Sequence, residues 1–516
     1  MQMAHFLRRP ARRVPDKTAL VSGPEARTFG EVDERSDRLA AAFAALGLGP
    51  GDRLALLMGN RMEFVETEVA AMKAGLVKVP INPRLHPREY VFMLADCGAA
   101  AAACDPGFIE DLRAHRADVP ALKHLVVVGE PADDLHGYEA LITSHWPAPP
   151  RVEFDDDAAF LIRYTGGTTG RPKGIVHTHR AFQAITLDVV RELGLTERDV
   201  VLVVGHLSHG NNFMWAPFFA VGATQVILER FDPRAALEAI QRHRVTFTYM
   251  VPTMVQALLN EPIEAYDCSS LETFLYASAP MPVETLKAAI RRLGPIFTQV
   301  YTLSESPVIT TILHKHEHLL DGPEPVVRRL ASCGREALNV RVRVVTEAGE
   351  DVAVGQVGEI VARTPCNMKE YWNLPDATAR TLRDGWVHTG DLATVDEAGY
   401  IYLVDRKHDM IISGGFNIYP REVEEVLYLH PAVQEAAVIG VPDDTWGEAV
   451  KAIVALKPDT SATANDLVEL CLTHLARYKR PKSIEFVEAL PKSAVGKILR
   501  RELREPYWRG HDRRVH

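Results

Sequence analysis

The sequence predicts an α/β protein of at least two domains, and three observations support this prediction. The chain has 516 residues, more than one hydrophobic core usually organises. Short apolar segments alternate with segments of helical periodicity over most of residues 18–301, a pattern typical of a largely parallel sheet. From about residue 338 the segments become short and β-like, and residues 405–516 indicate a small α+β domain.

The first elements follow from periodicity and from glycine stop signals. Residues 18–30 indicate two strands joined by a turn, and the apolar positions that follow recur at helical spacing until Gly47. A buried strand at 54–58, a helix at 63–74 that ends before Gly75, and a strand at 77–80 complete this part.

The alternation continues through the middle of the chain and then gives way to shorter segments. We expect strands at 158–164, 200–204, 224–228, 245–250, 271–277 and 296–301, with a helix at 235–243. Successive strands end in polar loops, which in an open α/β sheet converge on one crevice. Further on, we expect strands at 340–346, 358–363, 433–440 and 449–457, and helices at 421–430 and 464–478.

Composition excludes several classes of protein. Apolar residues make up 47% and charged residues 24% of the chain, as in ordinary globular enzymes. The net charge of −10, without a long acidic or basic run, argues against nucleic acid or an anionic membrane as the partner. No apolar run is long enough for a membrane span. The scattered cysteines, none in a CxxC pair, indicate reduced thiols in a cytoplasmic protein: Cys97, Cys104, Cys268, Cys333, Cys366 and Cys471.

A glycine-rich stretch at residues 165–174 follows one predicted strand. Its four glycines allow a close backbone approach, while its hydroxyls, its N–H groups and Lys173 can bind phosphate oxygens. It differs from the P-loop with Gly-Lys-Ser/Thr, because Pro172 precedes the lysine and Gly174 follows it. The stretch therefore predicts a nucleotide-phosphate loop of another type, the alternative being a solvated turn.

Three further segments carry charges that suit a nucleotide triphosphate. Glu305 follows the strand at 296–301, Asp391 lies in a Thr-Gly-Asp sequence, and Lys497 follows a glycine. A carboxylate beside a triphosphate requires a divalent cation between them, and Mg²⁺ prefers oxygen ligands. Each of these residues alone is more commonly a surface charge.

Taken together and in this order, these segments closely resemble the adenylate-forming superfamily of acyl-CoA synthetases, peptide-synthetase adenylation domains and beetle luciferases. The resemblance extends from about residue 15 to about residue 500 and includes residues 73–85, 334–335, 358–359, 371–373, 384–391 and 413–420. It implies a large N-terminal domain at residues 1–404, built of two sandwiched α/β sheets plus a β-rich subdomain. A small mobile α+β lid domain at residues 405–516 is implied to follow.

The resemblance implies an ATP site and a Mg²⁺ site. Lys497 is implied to bridge the attacking carboxylate and the α-phosphate, and Ser304, where the family usually has Thr, to contact that phosphate. Glu305 and Thr169 are implied to hold Mg²⁺ and to share in catalysis. Thr302 stands where the family commonly has Gly, which affects the shape of the acyl pocket. Ser304 is implied to be catalytic together with Lys497, Glu305 and Thr169. The other implied ATP or AMP ligands are Thr165, Gly166, Gly167, Thr168, Thr169, Gly170, Lys173, Ser278, Ala279, Pro280, Gln299, Val300, Tyr301, Thr302, Asp391 and Arg406.

The same resemblance implies a second half-reaction with coenzyme A. Asp405 is the implied hinge about which the lid domain rotates. This rotation is implied to withdraw Lys497 from the site and to bring the loop at 413–415 in its place. Trp446 or Tyr478 is implied to stack on the CoA adenine, and the alternative for Trp446 is a core aromatic. The implied CoA ligands are Ser413, Gly414, Gly415, Trp446, Tyr478 and Arg480.

The acid is expected to be apolar. Residues 205–215 contain no Asp or Glu, whereas domains that activate amino acids commonly place a carboxylate there for the ammonium group. Fatty, aryl and alicyclic acids all remain open, and His206 and His209 either gate a tunnel or are satisfied polar groups. The expected acyl pocket consists of His206, Phe213, Trp215, Tyr249, Tyr276 and Val308.

The sequence thus predicts an ATP-dependent acid–CoA ligase whose partners are a carboxylic acid, ATP and CoA. One alternative is a freestanding enzyme that loads a carrier protein, and a luciferase-like oxidation is another. A nucleotide-binding protein without catalysis is a third, which the presence of Glu305, Asp391 and Lys497 disfavours. The oligomeric state stays open, with a homodimer as one alternative.

Overall fold

The computed structural model describes residues 3–130, 135–147, 155–165, 172–307, 309–406, 409–414, 416–493 and 497–509. Within these residues the strands form four sheets. Two large sheets draw their strands from the first 371 residues, one five-stranded sheet lies within residues 341–406, and the other lies in the C-terminal domain. This architecture confirms the predicted α/β class, with a β-rich subdomain and a smaller C-terminal domain.

The larger sheet has nine strands and is parallel in its centre. Its outer strands at 25–28, 311–313 and 335–336 run antiparallel to their neighbours. In spatial order the strands are Arg335–Glu336, Thr311–Leu313, Phe297–Tyr301, Thr273–Tyr276, Phe247–Met250, Val200–Val203, Thr224–Ile227, Thr18–Ser22 and Glu25–Thr28.

The second sheet has eight strands and contains an antiparallel hairpin beside its edge strand Glu370–Tyr371. The hairpin joins the strands on either side of the glycine-rich stretch and pairs Thr165 with Lys173. In spatial order the strands are Glu370–Tyr371, Lys173–Thr178, Ala159–Thr165, Val77–Pro80, Arg53–Leu57, Ala101–Cys104, His124–Val127 and His136–Gly137.

Helices fill the space between these two sheets. One core cluster joins Leu20 and Val203 of the nine-stranded sheet to Leu54 of the eight-stranded sheet, through Phe43 and Phe182 of intervening helices. Burial of this shared apolar layer is the main force that holds the two sheets together. The predicted sandwich is therefore confirmed.

Local sequence signals account for the helix ends. Thr28 and Glu31 form a capping box at the start of helix Phe29–Ala45, and Gly75 at φ 75° ends helix Met62–Ala74. The helix Met3–Arg13, which buries Met3 and Leu7, was not predicted. The remaining α-helices are Pro87–Cys97, Ile109–Ala114, Tyr138–Thr143, His179–Glu192, Trp215–Val221, Pro233–His243, Pro252–Leu259, Val283–Leu293, Glu324–Val327 and Pro375–Thr381.

The β-rich subdomain begins close to the predicted position. Its strands are Arg341–Val345, Gly358–Arg363, Trp386–Val395 and Leu382–Arg383, and Ile401–Arg406 pairs with Trp386–Val395. This last pairing places Asp391 opposite Arg406. Two residues predicted to bind the nucleotide are therefore neighbours across one ladder.

The C-terminal domain has its own core, which includes Val423, Leu427, Val450 and Leu467. The predicted helix at 464–478 ends earlier, because Leu475 adopts an extended backbone, and the predicted helix at 421–430 likewise ends at Leu427. The strands are Ile411–Ser413, Phe416–Ile418, Val433–Asp443, Gly447–Leu456 and Ser483–Phe486, and the α-helices are Pro420–Leu427, Ala464–His474 and Arg500–Trp508.

In the part of the chain that the structure describes, no helix combines the length and the apolar character that crossing a bilayer requires.

Candidate active site

The glycine-rich stretch connects the two strands of the hairpin near one edge of the eight-stranded sheet. Thr165 is the last residue of strand Ala159–Thr165, and Lys173 opens the next strand, with its Nζ 5.0 Å from the centre of the Tyr371 ring. The predicted phosphate ligands Gly166, Gly167, Thr168, Thr169 and Gly170 lie outside the described residues. The hairpin therefore fixes both ends of the predicted phosphate loop.

The loop predicted to hold adenine starts with a strained residue. Ser278 follows strand Thr273–Tyr276 and has φ +73°, in a region that non-glycine residues rarely adopt. Its Oγ lies 2.5 Å from the hydroxyl of Tyr249, a hydrogen bond that helps to hold this conformation. Such strain is typical of ligand-binding loops, and Ala279 and Pro280 continue from it.

Strand Phe297–Tyr301 connects this loop to the predicted ribose site. Gln299 and Val300 lie on this strand, and the hydroxyl of Tyr301 donates to Oδ2 of Asp391 at 2.7 Å. Oδ1 of the same carboxylate lies 3.3 Å from Nε of Arg406. The structure thus brings Tyr301, Asp391 and Arg406 together in one polar network.

The segment after this strand carries the predicted magnesium ligand. Oε1 of Glu305 accepts a hydrogen bond of 2.7 Å from the hydroxyl of Tyr371. The backbone oxygen of Ser304 lies 2.9 Å from Nε2 of His177, a buried histidine whose pKa burial lowers to about 3. Neutral His177 therefore holds the backbone at Ser304, and Thr302 lies two residues earlier on the same segment.

Lys497 is a partly buried residue of the C-terminal domain that faces this centre. Burial, and then the charges of Arg406 and Arg163, lower the pKa of Lys497 to about 8, while Asp391 and Glu305 act in the opposite direction. All four of these charged groups belong to the nucleotide side of the cleft. The structure therefore brings the predicted catalytic lysine to the predicted nucleotide site.

The residues predicted to form the acyl pocket fall into two groups. His206, Phe213 and Tyr249 lie near the polar centre: burial lowers the pKa of His206 to about 4, and the Phe213 ring packs against His177 and Arg163. Trp215 and Tyr276 are at most 1% exposed and belong to the hydrophobic cores. Val308 lies outside the described residues.

Polar contacts hold the two buried aromatic residues in the core. Nε1 of Trp215 donates to Glu68 at 2.7 Å, and the hydroxyl of Tyr276 lies 3.0 Å from Nε2 of His318. Glu68 also accepts from Lys78 at 2.9 Å and from Asn212 at 2.7 Å. The buried Glu68 carboxylate therefore connects Lys78 of the eight-stranded sheet to the segment that carries Asn212 and Phe213.

The residues predicted to bind CoA lie on the surface of the C-terminal domain. Trp446 is 48% exposed, which excludes its alternative interpretation as a core aromatic. A Cβ at Gly414, whose φ is +59°, would come within 2.4 Å of the Trp446 ring. Tyr478 is also exposed and stacks on Phe416 with ring centres 4.7 Å apart.

The remaining predicted CoA ligands surround these aromatic rings. Ser413 ends strand Ile411–Ser413 and pairs with Phe416, and Arg480 follows the 3-10 helix Arg477–Lys479. Lys482, not predicted, places its Nζ 5.5 Å from the centre of the Trp446 ring. Gly415 lies outside the described residues.

Asp405 lies at the junction of the two domains. Its buried carboxylate accepts from the backbone N–H of Arg406 at 2.7 Å and of Arg421 at 3.1 Å. The second bond caps helix Pro420–Leu427 of the C-terminal domain, while Asp405 itself pairs with Leu392 in the β-rich subdomain. Burial, as the largest cause, raises the pKa of Asp405 to about 6.

Sequence reasoning missed Arg163 and His177, which face the same centre. Arg163 is buried within the mostly apolar strand Ala159–Thr165, and its side chain packs on Phe213. A single charged residue in a buried strand was the signal that could have identified it, because such charges are rare without a functional or structural reason.

Comparison with known proteins identifies the family of the chain. The family model described as AMP-binding enzyme matches residues 7–372, and the model of the AMP-binding enzyme C-terminal domain matches residues 422–497. The chain is 39% identical to a feruloyl-CoA synthase of an Amycolatopsis species over 97% of this chain and 98% of the relative. It is 35% identical to the medium/long-chain-fatty-acid–CoA ligase FadD8 of Mycobacterium tuberculosis, over 99% of this chain and 91% of the relative.

A solved structure extends the likeness to the whole fold. The anthranilate CoA ligase AuaEII in complex with anthranoyl-AMP superimposes with a TM-score of 0.89 at 30% identity, over 99% of this chain and 98% of that one. The family models, the relatives and the superposition agree with one another. The chain belongs to the AMP-binding enzyme family.

Proposed function

We propose that the protein is an ATP-dependent acid–CoA ligase. It joins an apolar carboxylic acid to AMP with release of pyrophosphate, and then transfers the acyl group to CoA. The observation that carries this proposal is the position of Lys497, a C-terminal-domain residue whose pKa responds to Asp391, Arg406 and Glu305 of the nucleotide cleft. Relatives named as CoA ligases support the same reaction class.

In the first half-reaction the acid carboxylate attacks the α-phosphorus of ATP. A carbon-bound oxygen forms the new bond, and pyrophosphate leaves with the electron pair of the bond that breaks. Negative charge develops on the non-bridging oxygens, where the cation of Lys497 stabilises it. Asp391, held by Tyr301 and Arg406, is positioned to accept hydrogen bonds from the ribose hydroxyls.

A magnesium ion fits this arrangement only together with the nucleotide. Among the described residues no cluster of three or more His, Cys, Asp or Glu side chains could hold a metal without other ligands. Glu305 offers one carboxylate, and Mg²⁺ usually combines one or two carboxylates with phosphate oxygens and water. Bound there, the ion would neutralise phosphate charge, and we assign Glu305, with Thr169, to hold it.

In the second half-reaction the lid domain rotates about Asp405. We assign residues 1–404 to the adenylation core and residues 405–516 to the lid. The exposed rings of Trp446 and Tyr478 offer stacking surfaces for the adenine of CoA, and Gly414 permits a close approach of the pantetheine arm. Ser413, Gly415 and Arg480 complete the proposed CoA site.

The acid occupies a space bordered by Phe213, Tyr249 and His206. Their rings are buried or half-buried beside the polar centre, whereas Trp215 and Tyr276 support the pocket from the core. The wall is mainly apolar and aromatic, which suits fatty and aryl acids.

The proposal is tested by incubating the purified protein with ATP, Mg²⁺, CoA and a library of fatty, aryl and alicyclic acids. We expect acyl-CoA, AMP and pyrophosphate in equal amounts for at least one acid. Pyrophosphate release without acyl-CoA, combined with acylation of a holo-carrier protein, would instead identify a carrier-loading enzyme. Nucleotide binding without pyrophosphate release from any acid would contradict the proposal.

A further inference from the structure

Arg163 is a buried cation that lacks an anionic partner among the described residues. It is 4% exposed, and its Nε forms no hydrogen bond with them. Other buried cations of the chain are paired: Lys78 lies 2.9 Å from Glu68, and Lys73 lies 2.6 Å from Asp33. The protein therefore neutralises its structural cations but leaves Arg163 without a described ion pair.

Such an arrangement is unfavourable in the absence of a ligand. Removing a charge from water is costly unless a counter-charge and hydrogen bonds replace the lost hydration. Burial lowers the pKa of Arg163 to about 10, and Tyr249 and Glu305 offset this only in part. An anion that enters the cleft would restore the missing interaction.

The position of Arg163 indicates which anion that is. Its guanidinium lies 4.7 Å from the centre of the Phe213 ring, which borders the proposed acyl pocket. Its charge also lowers the pKa of His209 and of Lys497, so it lies close to both groups. Arg163 is therefore situated where the acyl pocket meets the reacting centre.

We propose that Arg163 binds the carboxylate of the acid substrate before adenylation. This inference rests on the proposed function, and it adds a carboxylate-binding residue to that site. When the carboxylate oxygen bonds to the α-phosphorus and pyrophosphate departs, the carboxyl charge disappears. Arg163 therefore contributes to binding of the free acid and not to binding of acyl-AMP, and it favours carboxylates over neutral amides of the same shape.

The test compares the wild type with Arg163→Met, using octanoate and cinnamate as probes. We expect the KM for the acid to rise by about tenfold or more, as for loss of a charge-assisted hydrogen bond. The KM for ATP should change by less than about twofold, and thioester formation from added octanoyl-AMP should be retained, because neither involves the carboxylate charge. Arg163→Lys should recover part of the lost affinity.

Arg234→Met is the matched control, because Arg234 is exposed and pairs with Glu261 at 2.8 Å, outside the residues of the cleft. Arg234→Met should leave the KM for the acid and the KM for ATP unchanged. A raised KM for ATP with an unchanged KM for the acid would overturn the inference, since Arg163 would then serve a phosphate. Equal losses in both half-reactions would also overturn it.

Two measurements keep the inference independent of turnover and of the stability of the variant. Octanamide should compete with octanoate only weakly in the wild type, and equal competition would refute a charge-based site. Calorimetric titration of octanoate into wild type and Arg163→Met reports binding even when no acid in the library is adenylated. Failure of the proposed function and failure of this inference are therefore distinguishable.

Discussion

Individual charges in the cleft determine which residues act in which half-reaction. Lys497 belongs to the C-terminal domain, yet its pKa responds to Asp391, Arg163 and Glu305 of the N-terminal part, as well as to Arg406 at the start of the lid. We propose that this arrangement serves adenylation, with the lysine stabilising negative charge at the α-phosphate.

Replacing this lysine should separate the two half-reactions. We expect Lys497→Ala to slow pyrophosphate release by roughly 10²–10³-fold, the usual effect of removing one electrostatic stabiliser of a transition state. Thioester formation from added acyl-AMP should stay within about threefold of wild type, because that step does not build charge beside Lys497. Both rates are measurable by rapid quench. Equal loss in both steps would contradict the assignment.

The pH dependence follows from the lowered pKa of Lys497. The active form is the protonated one, which predominates below a pKa of about 8. For adenylation, kcat/KM should therefore be constant at neutral pH and fall as pH rises through about 8, with a limiting slope of about tenfold per pH unit. Pyrophosphate release without CoA measures this step without interference from the CoA thiol. A profile that stays flat to about pH 10 would show that Lys497 does not act as a cation.

At the scale of single residues, motif order singled out residues that the structure brings together, but not the buried charges around them. Tyr301, Asp391 and Arg406 were expected from the sequence, and they form one network. Arg163 and the Glu68–Lys78 pair were not expected, since a charge in an apolar segment acquires meaning only when its spatial neighbours are known.

Among the secondary structure elements, the hairpin at 411–418 and Trp446 form the surface proposed for CoA. Gly414 donates its N–H to the Trp446 oxygen at 2.8 Å, and its Cβ position is filled by the Trp446 ring. Ser413 pairs with Gly447, and this pairing joins the hairpin to strand Gly447–Leu456. The glycine therefore allows the hairpin and the tryptophan to pack closely.

A side chain at Gly414 should impair the second half-reaction selectively. Gly414→Val places a β-branched residue in the left-handed backbone region, which costs about 1–3 kcal/mol, and the new side chain would clash with the Trp446 ring. We expect acyl-CoA formation to fall at least about tenfold, while pyrophosphate release in single turnover stays within about threefold of wild type.

The matched control is Gly349→Val, which has a similar φ of +81° but no atoms within 4 Å of its Cβ position. It carries the backbone strain without the clash and should retain both activities. If the two variants behave alike, strain in general is responsible and the hairpin has no specific role with CoA.

Hydrophobic periodicity explains why most helices and strands could be predicted. Elements were missed where charged residues or proline interrupt that periodicity. Helix Met62–Ala74 ends at Gly75 as expected, because a positive φ there requires glycine. Helix Met3–Arg13 was missed, because its arginines and Pro10 obscure the apolar spacing of Met3 and Leu7. The packing of that helix against the inter-sheet core supplies the stability that its sequence does not indicate.

For the whole molecule, the account requires two domains that alternate over one cleft. Asp405 accepts hydrogen bonds from Arg406 and Arg421, so it links the β-rich subdomain to the first helix of the lid. Rotation about this residue would withdraw Lys497 and present the CoA surface. The domain boundary at Asp405 stays a prediction of the resemblance, whereas the capping role of Asp405 emerged only from the structure.

Fixing the backbone at the proposed hinge should block the alternation. We expect Asp405→Pro to retain single-turnover pyrophosphate release within about fivefold of wild type, and to lower acyl-CoA formation about tenfold or more, because proline fixes φ. Asp405→Asn, which keeps a polar side chain and a free φ, serves as the control. Unchanged acyl-CoA formation by the proline variant would remove Asp405 as the hinge.

The central claim is that a carboxyl group becomes reactive by joining AMP. It is tested most directly with an acid that carries ¹⁸O in its carboxyl group, turned over with ATP and CoA and analysed by mass spectrometry. The account predicts one ¹⁸O atom in the AMP formed, because the acid oxygen stays on phosphorus when CoA takes the acyl group. Unlabelled AMP, or label in inorganic phosphate together with ADP, would contradict it.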